Sequence, residues 1–128
     1  MAKQKILIIE DDELLLEMYE TKFKMVGYKV LKGATGKEGL NVLKKEKPDA
    51  ILLDILIPEI NGFEVLKELR SKNEFRDIPV VLLTNLGETK ADCNNELSTT
   101  LGVKDYLIKS KHTPDEIVDR VEEILATS

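Results

Sequence analysis

Four strand-like segments of the sequence are each followed by a polar side chain that could serve one chemical site. The segments cover residues 6–9, 50–53, 78–83 and 103–108, of which the first three are apolar runs, and they are followed by Glu10-Asp11-Asp12, Asp54, Thr84 and Lys109. Such runs are typical of strands buried on both faces, where a carboxylate is costly unless it is solvated, paired or bound to a metal. Carboxylates held close together repel one another, and a hard cation such as Mg²⁺ relieves that repulsion. If the runs end at one place, the sequence predicts a magnesium site there.

Each of these residues also has an ordinary explanation when it is taken singly. Acidic residues at the start of a helix are favoured by its dipole, and for Asp12 we favour this capping role. Asp54 could be a solvated strand end, Thr84 a loop hydroxyl and Lys109 one of many surface lysines. Only their joint placement behind four strands argues for a site.

Strand and helix patterns alternate along the chain, which predicts how these residues are brought together. Strands are predicted at Lys5–Ile9, Tyr28–Leu31, Ala50–Leu53, Ile78–Leu83 and Val103–Ile108. A helical pattern follows each of them, so the connections must cross over a mostly parallel sheet. We therefore predict a doubly wound α/β domain, in which the carboxyl ends of the strands form one rim where ligands bind.

The five predicted helices differ in how well they are anchored. Four have apolar residues at helical spacing or a capping box at the start, marked by Leu16-Tyr19-Phe23-Val26, Thr35–Glu38 before Leu40 and Leu43, Phe63-Leu66-Leu69, and Thr113–Glu116. The segment from Glu88 to Leu101 is more polar, which predicts a weakly anchored and comparatively mobile fourth helix.

Composition narrows the class of protein. The 128 residues suit one domain, and no apolar run is long enough to cross a bilayer. The N-terminus has no signal-peptide pattern, so we expect a cytoplasmic protein. A net charge of −5, with no basic run longer than Lys44-Lys45, disfavours direct nucleic-acid binding. One cysteine, Cys93, and one histidine, His112, leave no Cys/His zinc site.

Four stretches resemble the receiver domains of two-component response regulators, the CheY-like family. They are ILIIEDDE at 6–13, ILLDILIPEINGFEVL at 51–66, IPVVLLT at 78–84 and DYLIKS at 105–110. The resemblance spans nearly the whole chain in the family's order. It implies a flavodoxin-like sheet of five parallel strands in the order 2-1-3-4-5 with five helices, and a single receiver over residues 1–128 without an output domain.

The resemblance implies a role for each residue at the rim. Asp54 would be the phosphoacceptor, and the phosphoryl group would come from a sensor histidine kinase or a histidine phosphotransfer protein. Glu10 and Asp11 would be the acidic pair, and Mg²⁺ would be held by Asp11, Asp54 and the backbone carbonyl of Leu56, with waters completing the octahedron. With both members of the acidic pair included, the implied metal site consists of Glu10, Asp11, Asp54 and Leu56.

The remaining implied residues neutralise charge or switch conformation. Lys109 would be the fixed ammonium, Thr84 would donate its hydroxyl to the phosphate, and Tyr106 would turn inward as Thr84 moves. The alternative, that Tyr106 is an ordinary aromatic residue of an edge strand, is the less favoured interpretation. The readout surface would be the predicted fourth helix, fifth strand and C-terminal helix, roughly residues 88–126, which would control a target protein in trans. A phosphorylation-dependent homodimer is left open.

The sequence departs from the family pattern at a few positions. Ile57 is a mild change before the proline, whereas Asn85 replaces a small residue and predicts an altered phosphoryl lifetime. Ser110 replaces a proline that often forms a cis bond, so no cis Lys109–Ser110 bond is expected. The polar segment 92–100 predicts unusual partner specificity.

Two other functions compete with a phosphorylation-controlled interaction module that turns over no external substrate. A small magnesium-dependent phosphatase would use Asp54 as a transient nucleophile, but such enzymes usually place an acid or base two residues later, where Leu56 stands. A constitutive scaffold would lack one of Asp11, Asp54, Thr84 and Lys109, and all four are present. The signalling module is therefore the favoured interpretation.

Overall fold

Strands and helices alternate along the chain in a computed structural model that describes residues 4–54, 62–84, 105–108 and 112–127. The strands are β1 (Lys5–Ile9), β2 (Lys29–Gly33), β3 (Ala50–Asp54), β4 (Val80–Thr84) and β5 (Asp105–Ile108). The helices are α1 (Glu13–Met25), α2 (Gly36–Lys45), α3 (Gly62–Ser71) and the C-terminal helix α4 (Pro114–Thr127). The predicted helix between Glu88 and Leu101 lies outside the described residues.

The strands form one parallel sheet in the order β2-β1-β3-β4-β5. The predicted α/β fold of flavodoxin-like type is therefore confirmed. The three strands with the longest apolar runs, β1, β3 and β4, are the inner strands of the sheet, because a strand with a neighbour on each side can bury both of its faces. Within the described ranges, every helix is too short or too polar to cross a bilayer.

Each face of the sheet is covered by its own apolar layer, because successive side chains of a strand point to opposite faces. The layer beneath α2 and α3 includes Leu7, Ile9, Leu53, Leu66 and Leu82. The opposite layer, beneath α1 and α4, includes Ile6, Ile8, Leu52, Tyr19, Phe23, Leu83, Leu107, Ile117 and Val121. The second layer leads to the site described below.

Helix α1 buries less of its apolar surface than the sequence suggested. Tyr19 and Phe23 are buried as predicted, but Val26 is the C-cap residue and is 47% exposed, since the helix ends at Met25. Leu14, Met18 and Met25 are also exposed and are spaced four and seven residues apart, so they share one outward face. We call Leu14, Met18, Met25 and Val26 the α1 stripe. It holds all the large exposed hydrophobic residues of the described part of the chain.

The two predicted capping boxes are present with different completeness. Thr113 accepts the Glu116 amide at 3.2 Å and returns its own amide to the Glu116 carboxylate at 2.9 Å. Thr35 accepts the Glu38 amide at 3.1 Å, but the Glu38 carboxylate accepts the amide of Ala34 instead. Both helices therefore begin where the sequence predicted.

Arg70 fixes the connection between α3 and β4, a role that the sequence did not indicate. Its Nη1 donates to three backbone carbonyls, those of Phe75 at 3.2 Å, Arg76 at 2.8 Å and Ile78 at 3.0 Å. Because one guanidinium serves three carbonyls, it holds the turn closed ahead of β4.

Replacement of Arg70 by methionine is expected to lower the free energy of unfolding by about 2 kcal/mol, since the apolar stem is kept while charged donors are lost. Urea unfolding followed by far-ultraviolet circular dichroism measures this. The exposed Arg76 is a matched control, and Arg76→Met should change stability by less than about 0.5 kcal/mol. Equal effects of the two substitutions would contradict the role of Arg70.

Candidate metal centre at the carboxyl edge of the sheet

Strand register brings Glu10 and Asp54 to the same edge of the sheet. In the pairing of β1 with β3, Ile8 lies opposite Leu52 and Ile9 opposite Leu53. One further step along the same register places Glu10 beside Asp54. Because side chains alternate, both carboxylates continue the face that carries Ile8 and Leu52.

Glu10, Asp11 and Asp54 form a cluster of three carboxylates. Each offers one oxygen, and these oxygens all lie within 4.8 Å of one another. Glu10 is fully buried and Asp54 is 2% exposed, whereas Asp11 is exposed. Two of the three acidic side chains are thus buried, and Asp11 is the one in contact with solvent.

The backbone around Glu10 is tied to two neighbouring elements. The Glu10 amide donates to the carbonyl of Gly33, at the end of β2, at 3.1 Å. Its carboxylate Oε1 accepts the amide of Asp12 at 3.2 Å. Asp12 in turn caps α1, since its Oδ1 accepts the amides of Leu14 at 3.0 Å and Leu15 at 3.2 Å. The capping role favoured for Asp12 is confirmed.

The phenol of Tyr19 lies in the field of this cluster. Tyr19 is 1% exposed on the inner face of α1. Burial is the main reason that the pKa of Tyr19 is raised, and the charges of Glu10, Asp54 and Asp12 raise it further. The phenol is therefore a neutral group throughout the physiological pH range. The sequence predicts Tyr19 only as a core residue, because a tyrosine at helical spacing gives no other signal.

The chemistry of the donor set fits a hard divalent cation. Three carboxylates supply oxygen ligands only, which Mg²⁺ prefers, and a bound cation would offset the repulsion among them. The exposed position of Asp11 leaves one side of the cluster open, as needed for a cation that keeps several waters. The residues present therefore fit the predicted magnesium site.

The other predicted site residues are described only in part. Thr84 is the last residue of β4 and pairs in register with Ile108, the last residue of β5. Tyr106 pairs with Leu82. The backbone thus puts Thr84 at the same edge as Asp54, while the side chains of Thr84 and Tyr106, and all of Leu56 and Lys109, lie outside the described residues. Their roles stay predictions.

Comparison with known proteins places this geometry in context. The family model for the response regulator receiver domain matches residues 6–122. Among curated proteins, a probable transcriptional regulator, ycf27, of Pyropia yezoensis is 33% identical over 96% of this chain and 48% of its own length. The alkaline phosphatase synthesis transcriptional regulatory protein PhoP of Bacillus subtilis is 34% identical over 98% of this chain and 50% of its own length. The chain spans about half the length of the curated relatives it matches.

Solved structures agree with the observed fold. A putative response regulator from Chloroflexus aurantiacus has a TM-score of 0.84 and 34% identity, and the match covers 98% of this chain and 99% of the other. The chemotaxis response regulator CheY4 of Vibrio cholerae has a TM-score of 0.85 at 23% identity, covering 96% and 99% of the two chains, which indicates likeness of fold alone.

Proposed function

The chain belongs to the response regulator receiver family, and we propose on this basis that it accepts a phosphoryl group on Asp54 from a sensor histidine kinase or a histidine phosphotransfer protein. Receivers of this family are signalling modules. The observation that supports the proposal most directly is the cluster of Glu10, Asp11 and Asp54, whose carboxylate oxygens lie within 4.8 Å of one another. The reaction would depend on Mg²⁺ held by this cluster and by the Leu56 carbonyl.

Asp54 is suited to act as the nucleophile because it ends a strand that is buried along its whole length. A carboxylate oxygen of Asp54 would attack phosphorus and form the new P–O bond, while the P–N bond of the donor histidine breaks and its electron pair returns to the imidazole. Bound Mg²⁺ would supply neutralisation of charge on the transferred phosphoryl oxygens. Glu10 and Asp11 would hold the cation.

Three further residues complete the proposed mechanism. Lys109 would place its ammonium against the phosphoryl oxygens, and the Thr84 hydroxyl would donate to one of them. Tyr106 would turn inward as Thr84 moves. The backbone supports this assignment as far as it goes, because Thr84 ends β4 one strand away from Asp54.

The output is proposed to be protein binding in trans. Residues 1–128 would act as one receiver module, and the surface formed by residues 88–126 would change on phosphorylation. A phosphate adds charge that biases such a surface only as far as it contacts the two states differently. Direct nucleic-acid binding is disfavoured by the net charge of −5, and we propose a cytoplasmic location.

Intact mass after incubation with acetyl phosphate tests the proposal. With Mg²⁺ the chain should gain one phosphoryl group, and without Mg²⁺ the gain should be lost. Absence of any gain with Mg²⁺, under conditions that label another receiver, would overturn the proposed function and favour a constitutive scaffold.

The α1 stripe is a candidate docking surface for the phosphodonor protein. Leu14 and Met18 are one turn apart on the same face, and neighbouring exposed apolar residues mark interaction surfaces. Leu14, which is 66% exposed, is two residues from Asp12 at the edge of the acidic cluster. A protein that delivers a phosphoryl group to Asp54 must approach this edge. We therefore propose that the donor packs an apolar helix face on the stripe.

We expect Leu14→Glu to lower phosphorylation by a histidine kinase about tenfold, since a charge would be buried in the contact. The kinase used must be one that phosphorylates the wild-type chain. Labelling by acetyl phosphate should not change, because a glutamate in the first turn of α1 is compatible with the helix dipole. Met25→Glu, at the far end of the stripe, is the graded control and should have the smaller effect. Equal loss of labelling from both donors would contradict docking at Leu14.

A further inference from the structure

Asp12 connects the acidic cluster to helix α1 through two sets of hydrogen bonds. Its amide donates to Glu10 Oε1 at 3.2 Å, while its own carboxylate accepts the amides of Leu14 and Leu15. The Asp12 carbonyl also accepts the Leu16 amide at 2.9 Å, the first bond of the helix. Every polar group of Asp12 except Oδ2 is thus engaged in one of the two contacts.

Asp12 is not part of the metal cluster itself. Among the described residues, the carboxylates whose oxygens come within reach of one ion are those of Glu10, Asp11 and Asp54. The Oδ1 atom of Asp12 faces the helix amides instead. Any influence of Asp12 on a bound cation must therefore pass through its charge or through the backbone that it fixes.

The backbone route follows from the geometry of the cap. Asp12 has φ −77° and ψ 109°, the extended conformation of an N-cap residue, and its side chain holds that conformation by binding the helix amides. The peptide group that precedes Asp12 contains both the amide bound to Glu10 and the carbonyl of Asp11. A fixed Asp12 therefore orients both members of the acidic pair. Glu10 is held through its hydrogen bond with the Asp12 amide, and Asp11 is held through the peptide group that it shares with Asp12.

We propose that Asp12 is a positioning residue for the acidic pair: by capping α1 it holds the Glu10 carboxylate and the Asp11 backbone in the arrangement that binds the divalent cation. This inference rests on the proposed function for its consequence, tighter Mg²⁺ binding. The hydrogen bond from Asp12 to Glu10 does not depend on that function. Outer partners of metal ligands generally act in this way, by orienting groups that contact the ion.

Serine and alanine at position 12 separate the two routes. Both remove the negative charge, and they differ by one oxygen, but only serine can cap a helix. Asp12→Ser should therefore report the loss of charge alone, and Asp12→Ala the loss of charge and cap together. Thr113→Ala, which removes the N-cap of α4, is the control for a lost cap away from the acidic pair.

Two measurements on the full chain test the proposal. Calorimetric titration with Mg²⁺ should show affinity about threefold or more lower for Asp12→Ala than for Asp12→Ser, as expected for a lost outer partner. Amide hydrogen exchange without Mg²⁺ should show faster exchange of the residue 12 amide in Asp12→Ala than in Asp12→Ser. Thr113→Ala should leave both quantities at the wild-type value.

The outcomes are distinguishable from failure of the proposed function. Equal Mg²⁺ affinity and equal exchange in the serine and alanine variants would overturn the positioning role and leave only an effect of charge. If the wild-type chain bound no Mg²⁺, the proposed function would fail, while the exchange of the residue 12 amide would still decide whether the cap holds the contact to Glu10. A loss of affinity in Thr113→Ala equal to that in Asp12→Ala would also overturn the proposal.

Discussion

Replacement of Asp54 by asparagine is expected to abolish the phosphoryl group gained from acetyl phosphate. Asparagine has nearly the same shape, but its amide is a poor nucleophile and it removes one of the three clustered charges. The loss should be complete by intact mass, because the proposed mechanism has no alternative acceptor. Mg²⁺ affinity should fall as well, since one ligand of the cation becomes a neutral amide oxygen.

Asp49→Asn is the matched control for this experiment. Asp49 stands immediately before β3, at the opposite end of the strand from Asp54, and its carboxylate accepts the Lys5 amide at 2.7 Å. The control variant should be labelled as well as the wild-type chain. Continued labelling of Asp54→Asn would show that another residue is the acceptor, and loss in both variants would indicate an effect on folding.

Replacement of Gly33 by alanine is expected to have the largest effect on stability, lowering the free energy of unfolding by about 3 kcal/mol. A Cβ at Gly33 would lie 2.7 Å from the Gly39 nitrogen and 2.8 Å from the Gly39 Cα. These are backbone atoms of α2, so the clash cannot be relieved by turning a side chain. The helix must move away from the end of β2, which opens the layer that contains Ile9 and Leu43.

Gly27→Ala distinguishes this packing effect from a general effect of replacing glycine. Gly27 has φ +96°, a conformation that disfavours other residues, but no atom lies within 4 Å of a Cβ built there. It should cost only about 1 kcal/mol, from backbone strain. Urea unfolding measures both variants. A cost at Gly27 as large as that at Gly33 would contradict the contact with α2 as the cause.

The strand ends were predictable because composition alone marks them. Buried parallel strands are continuous apolar runs, and the first polar residue after each run marks the carboxyl end of the strand. Glu10 and Asp54 could thus be assigned to one edge before any register was known. The register itself could not be read from the sequence, since Ile, Leu and Val fit equally well at any position of a buried strand.

Helix α1 shows where periodicity fails. Its sequence has Leu14, Leu15 and Leu16 in a row, so more than one apolar face is possible. The three-and-four spacing of Tyr19, Phe23 and Val26 also predicts Val26 on the inner face, but the helix ends at Met25 and Val26 is its exposed C-cap residue. The α1 stripe is what remains when Tyr19 and Phe23 occupy the core. Its exposure becomes visible only after packing has selected one face.

Contacts between side chain and backbone were also beyond the sequence. Arg70 reaches carbonyls five to eight residues away, and the Asp12 amide reaches a carboxylate two residues back. Both contacts depend on the orientation of a peptide group. Residue types predict that orientation only where they form a known motif. The capping boxes were predictable because they are such a motif.

The two apolar layers divide the molecule in a way that matters for engineering. Glu10 and Asp54 continue the face packed by α1 and α4, so both carboxylates lie on that side of the sheet. The layer beneath α2 and α3 lies on the other side of the sheet. Substitutions meant to raise the stability of this chain should therefore be made around Leu53, Leu66 and Leu82. The layer around Tyr19 should be left unchanged, because it adjoins the acidic cluster.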